Sequence, residues 1–135
     1  MAASDYLELA LLNHIFEGSP YSQPTIWVGL STADPGDDGS GLAEPSGGGY
    51  ARVRPADDSG RWLVSESGGV TTAENKGAIE FAEATGDWGT IAYACLFDAE
   101  TAGNLLAYAA LTSNREVRSG DSAKFEIGEL KITLD

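Results

Sequence analysis

Basic residues are scarce in this chain, which carries 8 Lys plus Arg against 21 Asp plus Glu and a formal net charge of −13. The first cation along the sequence is Arg52. Binding to a nucleic-acid backbone needs clustered cations that release counterions, and an anionic membrane surface repels an acidic protein. The charge therefore predicts a protein with no nucleic-acid and no membrane partner.

Cysteine and histidine occur once each, as Cys95 and His14. One cysteine forms no internal disulfide, and Cys95 lies in the apolar run 91–97, which favours a small buried side chain. One histidine, which we expect to cap or pack on its helix, leaves neither a Ser-His-Asp arrangement nor a two-histidine metal site readily available. Catalysis by a lysine or carboxylate base, or by a pair of carboxylates, stays an alternative in principle. We expect the protein to have no enzymatic activity and to bind no cofactor.

Long apolar runs and a basic start are also missing, since no run approaches ~20 residues and residues 1–5 carry no Lys or Arg. We expect a protein that is made and kept in solution and is assembled into its final location in the host cytoplasm. The chain is rich in glycine, with 17 in 135 residues, and 42% of its residues are hydrophobic. Glycine pairs that punctuate short apolar runs predict one mainly β domain with many turns.

One helix is predicted over residues 5–17. Asp5 and Glu8 have the spacing of a capping box, and Gly18 can end the helix in a left-handed turn. Apolar residues cover most of its circumference, so it must be covered on nearly all sides, in part by a sheet and in part by a neighbouring subunit.

Alternating or β-branched runs predict the strands that follow. They span residues 25–32, 50–54, 61–65, 70–75, 78–82, 90–98, 105–111 and 123–134, with a hairpin between the sixth and seventh and a slip at Gly128 in the last. The count favours a β-sandwich with one N-terminal helix, for which jelly-roll connections are one option.

A long exposed loop is predicted over residues 33–49. Its Asp34, Asp37 and Asp38 suit either a cation or turn chemistry, and the spacing lacks the alternating ligands of a calcium loop. Turn chemistry is favoured.

The three tryptophans, Trp27, Trp62 and Trp88, could form a sugar-stacking platform, but packing in the core or an interface is favoured.

Several segments together resemble a family of small bacteriophage virion structural proteins. They are residues 6–16, 27–30, 32–36, 50–52, 87–90, 96–98, 103–106 and 119–121. Members of this family are described as tail-fibre-like, decoration or structural proteins, so the resemblance implies a virion role and supplies no catalytic residues. The run 56–62 is more polar than the strand that the resemblance implies there.

The leading hypothesis is a decoration (cement) protein on the outer surface of the capsid. A tail or tail-fibre component, which could bind a receptor, is the alternative, and a glycan-cleaving enzyme is a third class. A fibre is expected to show a repeat or a coiled-coil stem, and neither is present. We expect self-association as a homotrimer and contact with the major capsid protein or another virion protein.

Ten residues are the candidates for these interfaces. Those on the helix are apolar, and the others are arginines that either contact the shell or pair with neighbouring acids: Tyr6, Leu7, Leu11, Ile15, Phe16, Arg52, Arg54, Arg61, Arg115 and Arg118.

Overall fold

The computed structural model describes residues 1–56 and 61–134, which form antiparallel strands and one N-terminal helix. The mainly β prediction is confirmed. Of the polar run 56–62, residues 57–60 lie outside the described residues. The elements are β1 (Ala2–Ala3), α1 (Asp5–Leu12) with a π-helical segment (Asn13–Glu17), β2 (Trp27–Ser31), β3 (Trp62–Ser67), β4 (Val70–Asn75), β5 (Ile79–Glu80), β6 (Gly89–Phe97), β7 (Leu105–Val117), β8 (Lys124–Phe125) and β9 (Lys131–Leu134).

Three antiparallel sheets hold these strands, with the orders β1-β7-β6-β2, β3-β4-β9 and β5-β8. The predicted hairpin of β6 and β7 is confirmed and forms the centre of the largest sheet. β7 runs further than predicted, to Val117, because its polar end pairs through the backbone with the start of β6 (Thr90 with Glu116). Side chains there are mostly exposed, so no apolar pattern marks the extension.

The main core lies between the four-stranded sheet and the two smaller sheets. Val28, Leu30 and Leu96 come from the large sheet, and Ile79 and Phe125 come from the smallest. Ile132 of β9 packs against the same cluster. The smaller sheets thus cover one face of the large sheet, which is the layering of a β-sandwich.

A second apolar cluster lies on the other face of the large sheet and contains Cys95, Phe97 and Leu105, with Leu42 of the loop packed against it. Cys95 is fully buried, as predicted, and desolvation raises the pKa of its thiol to about 12. The loop predicted to be exposed is therefore partly folded onto the sheet.

Two further strand predictions are longer than the strands that form. Residues 50–54 form only an isolated bridge, in which the amides of Val53 and Val28 each donate to the carbonyl of the other residue. Residues 78–82 contain only the short strand β5. By contrast, β4 has the bounds predicted for it.

The last predicted strand, 123–134, divides into β8 and β9, which belong to different sheets. Asn75 explains the break. Its Nδ2 donates to the Glu126 carbonyl at 2.9 Å, its Oδ1 accepts from the Leu130 amide at 3.0 Å, and its own carbonyl accepts from the Gly128 amide at 2.9 Å. The buried side chain and the carbonyl of Asn75 together hold the chain in a turn at the glycine where a slip was predicted.

The helix prediction is confirmed in extent and wrong in its N-cap residue. Ser4, not Asp5, is the N-cap, since its Oγ accepts from the Leu7 amide at 3.2 Å. The same hydroxyl donates to the Leu105 carbonyl, which fastens the start of the helix to β7. Gly18 ends the helical segment with φ 69°, as predicted.

Candidate assembly surface

The N-terminal helix leaves most of its apolar side chains uncovered by its own chain. No residue of α1 or of the π-helical segment is buried, and only Leu7 packs against the main core. Four large apolar side chains are each more than half exposed: Leu9 (62%), Leu12 (57%), Ile15 (66%) and Phe16 (79%). Contiguous exposed apolar surface on a soluble protein marks an interaction site. We call these four residues the helix patch.

The end of the helix is held in place by its own hydrogen bonds. The amides of Gly18 and Ser19 both donate to the Asn13 carbonyl, and the Tyr21 amide donates to Nδ1 of His14 at 3.1 Å. His14 therefore fixes the chain that follows its helix, in keeping with the capping role predicted for it. These contacts bring the segment around Tyr21 back beside the helix.

An apolar groove of about 270 Å³ lies beside α1, with Leu7 in its wall. Its walls come from α1, the link to β2, the three-stranded sheet and the large sheet. None of its lining residues is charged: Leu7, Tyr21, Gln23, Pro24, Ile26, Trp62, Ala73, Leu96, Leu106 and Ile132. We call this feature the groove.

The structure places the predicted interface residues in several different regions. Tyr6, Leu7, Leu11, Ile15 and Phe16 lie on the helix, where Tyr6 is 39% exposed and Leu11 is half-buried.

The five arginines are dispersed. Arg115 and Arg118 lie at or beyond the far end of β7, whereas the helix is fastened at Leu105 and Leu106, where β7 begins. Arg54 lies over the Trp27 ring at 5.9 Å, and half-buried Arg61 donates to the Pro55 carbonyl.

Arg52 is a structural residue rather than an exposed contact. It is 7% exposed, and its Nε and Nη2 donate to the two Glu44 carboxylate oxygens at 2.9 and 2.7 Å. Its Nη1 donates to the Ala99 and Ala102 carbonyls, each at 2.8 Å, and its guanidinium lies 3.4 Å from the Phe97 ring centroid. This geometry matches the ion-pair alternative for Arg52. We call these contacts the Arg52 clasp, which ties the loop to the β6–β7 hairpin.

Arg118 also pairs with an acid, Glu116, at 2.9 Å, but both side chains are more than half exposed. The Arg52–Glu44 and Arg118–Glu116 pairs are both two-bond pairs of arginine with glutamate, and they differ in burial.

Comparison with known proteins gives one family. The model of the podophage GP4 fiber I protein gp80 matches residues 2–133. The chain belongs to this family. No curated protein matches the sequence. The predicted membership of a family of small phage virion structural proteins is confirmed, and the family description supports the fibre alternative rather than capsid decoration.

As a member of the gp80 fiber family, the chain is a phage virion structural protein. None of its described helices is long and apolar enough to cross a membrane.

The acidic loop of this fiber-family chain uses its aspartates for turns. Asp34 accepts from the Gly36 amide and Asp38 from the Ser40 amide, both at 2.9 Å, while Asp37 accepts from the Tyr108 hydroxyl. Within residues 1–56 and 61–134, no group of three His, Cys, Asp or Glu side chains could hold a metal ion.

The three tryptophans pack against the core clusters, as predicted. Trp88 is buried and donates from Nε1 to the Gly48 carbonyl at 2.8 Å, Trp27 packs beside Cys95 and Phe97, and Trp62 packs on the main core.

Sequence reasoning missed the groove, because its walls come from elements far apart in the chain. In the sequence, the only sign of the groove is the extended link between Pro20 and Pro24.

Proposed function

We propose that this protein is a non-enzymatic structural subunit of a phage tail fibre. It assembles through the helix patch. The single observation that carries this proposal is the helix patch itself, in which four large apolar side chains stay exposed on an otherwise acidic chain. An isolated soluble subunit gains nothing from such a surface, whereas a virion component buries it on assembly.

Two further observations support the proposal. The family is described as a fiber protein, which favours a tail position over the capsid surface. Cys95 is buried with a raised thiol pKa, and His14 accepts a backbone hydrogen bond through Nδ1, so neither side chain is presented as a nucleophile or free base.

The location is tested by gold-labelled antibodies on intact particles, together with a count of copies per particle. We expect label at the tail and a few to a dozen copies. Label spread over the head at hundreds of copies would instead support a decoration protein and overturn the fibre proposal.

The non-enzymatic part is tested separately with host polysaccharide as the substrate. We expect no turnover by the isolated protein. Turnover that disappears when one carboxylate is changed to its amide would contradict it.

A further inference from the structure

We propose that a polar cavity beside the Arg52 clasp binds a neutral sugar residue. The cavity has a volume of about 370 Å³, and its walls come from α1, the 33–49 loop, Arg52 and the turn between β6 and β7. This volume lies within the roughly 300–1,000 Å³ of pockets that take small molecules. We call it the loop cavity. None of its lining residues belongs to the helix patch, so the inference goes beyond the proposed function and does not depend on it.

Two adjacent carboxylates of the loop, Asp37 and Asp38, line the loop cavity. Asp37 Oδ1 accepts from the Tyr108 hydroxyl, and Asp38 Oδ1 accepts from the Ser40 amide at 2.9 Å. These bonds leave Oδ2 of both carboxylates for a ligand. The third carboxylate of the wall, Glu44, is engaged in the Arg52 clasp through both of its oxygens. An ionised carboxylate only accepts hydrogen bonds, so Asp37 and Asp38 select a ligand that donates.

A donor in the same wall lacks an acceptor. The guanidinium of Arg52 has five N–H groups, of which two donate to Glu44, one to Ala99 and one to Ala102. The fifth, on Nη2, has no acceptor within residues 1–56 and 61–134, although Arg52 is only 7% exposed. A buried donor without an acceptor is costly, so a ligand that places an oxygen beside Arg52 is favoured.

These two requirements together select the chemical class of the ligand. A hydroxyl group donates one hydrogen bond and accepts others, so a polyol can donate to the two aspartates and accept from Arg52. An ammonium group only donates and would also meet the positive charge of Arg52, whereas an anion would meet two negative charges. A neutral ligand with several hydroxyl groups therefore fits the loop cavity better than a charged one.

The apolar part of the wall favours a cyclic sugar over an open-chain polyol. Tyr6 of α1 is 39% exposed, and its side chain lines the loop cavity together with Leu42 and Leu105. A pyranose ring has an apolar C–H face as well as a rim of hydroxyl groups. An aromatic ring and aliphatic side chains can cover that face while the polar groups bind the rim.

The first test measures binding to the full-length protein by saturation-transfer NMR and calorimetry. The probes are the methyl glycosides of glucose, galactose and mannose. We expect at least one to bind, with a Kd of about 0.1–10 mM, as for a small ligand with few contacts.

Asp38→Asn provides a sharp variant, because Oδ1 can still accept from the Ser40 amide while the acceptor at Oδ2 becomes a donor. Loss of one charge-assisted hydrogen bond should weaken binding roughly 10-fold or more. Asp34→Asn is the matched control, since Asp34 Oδ1 accepts from the Gly36 amide at the same distance of 2.9 Å and Asp34 does not line the loop cavity. Its binding should equal that of the wild type.

The second test concerns the apolar wall and the charge of the ligand. Tyr6→Ala should weaken binding, Tyr6→Phe should retain most of it, and Phe16→Ala in the helix patch should leave it unchanged. Choline and acetate, the charged probes, should not compete with the glycoside. Absence of binding by every glycoside, equal loss in Asp34→Asn and Asp38→Asn, or binding of choline or acetate instead of the glycosides would each overturn the proposal. Circular dichroism of every variant confirms that the fold is retained.

Discussion

Replacing Arg52 with alanine should destabilise the fold strongly, whereas replacing an exposed arginine should cost little stability. The substitution removes four hydrogen bonds and the stacking on Phe97. It also leaves the Ala99 and Ala102 carbonyls without this donor, and it leaves the Glu44 carboxylate without its cation although the Tyr50 hydroxyl still donates to Glu44 Oε1 at 2.8 Å.

The magnitude follows from the burial of the pair. The side chains of Arg52 and Glu44 are 6% and 22% exposed. Removing one partner of a buried ion pair costs about 3–5 kcal/mol. Because Glu44 keeps some contact with water, we expect the lower end, about 3 kcal/mol in the free energy of unfolding. For a chain of this length, that corresponds to a fall in Tm of about 12 °C.

Urea unfolding followed by tryptophan fluorescence measures this loss. Arg118→Ala is the matched control, because Arg118 forms the same kind of two-bond pair with Glu116 on an exposed surface. The control should unfold close to the wild-type midpoint. A loss below about 1 kcal/mol for Arg52→Ala would refute the structural role of the Arg52 clasp.

Three further predictions concern the buried interior. Cys95 should resist a thiol reagent near neutral pH until the chain is unfolded, because desolvation raises its pKa to about 12; for the same reason stability should fall as the pH rises past the ordinary thiol pKa. Asn75→Ala should cost about 3 kcal/mol in urea unfolding, since a fully buried side chain loses three hydrogen bonds to the backbone. Gly29→Ala should cost about 1–3 kcal/mol, because a Cβ there would approach Glu44 Oε1 and the Phe97 ring at 2.8 Å each; an unchanged urea midpoint would contradict this crowding.

Features that depend on neighbouring residues could be predicted from the sequence. The helix with its Gly18 terminus, the bounds of β4, and the β6–β7 hairpin all rest on local apolar periodicity and turn residues. Even there, the N-cap was assigned to Asp5 rather than Ser4. Both residues can cap a helix, and the choice depends on the contact of Ser4 with the distant Leu105.

Features that depend on distant residues could not be predicted. The break between β8 and β9 is determined by Asn75, which is about fifty positions earlier in the chain. The role of Arg52 depends on carbonyls of the β6–β7 turn. An isolated arginine in a sequence gives no sign of whether it will be buried. The sequence alone therefore does not separate Arg52 from an arginine in an exposed ion pair.

The salt dependence of self-association separates the two kinds of contact that this acidic chain could use. The Debye length is about 30 Å at about 0.01 M salt and about 8 Å at about 0.15 M. Added salt therefore screens the repulsion between two subunits of charge −13. If the apolar helix patch dominates the contact, association should strengthen several-fold between about 0.05 and 0.5 M sodium chloride, because the apolar contact itself is not screened. If exposed cations such as Arg54 or Arg115 instead bind acids on another copy, the same increase should weaken association. Sedimentation equilibrium of wild type and Phe16→Ala across this range measures both trends. Weakening of the wild type with added salt would refute a contact governed by the helix patch.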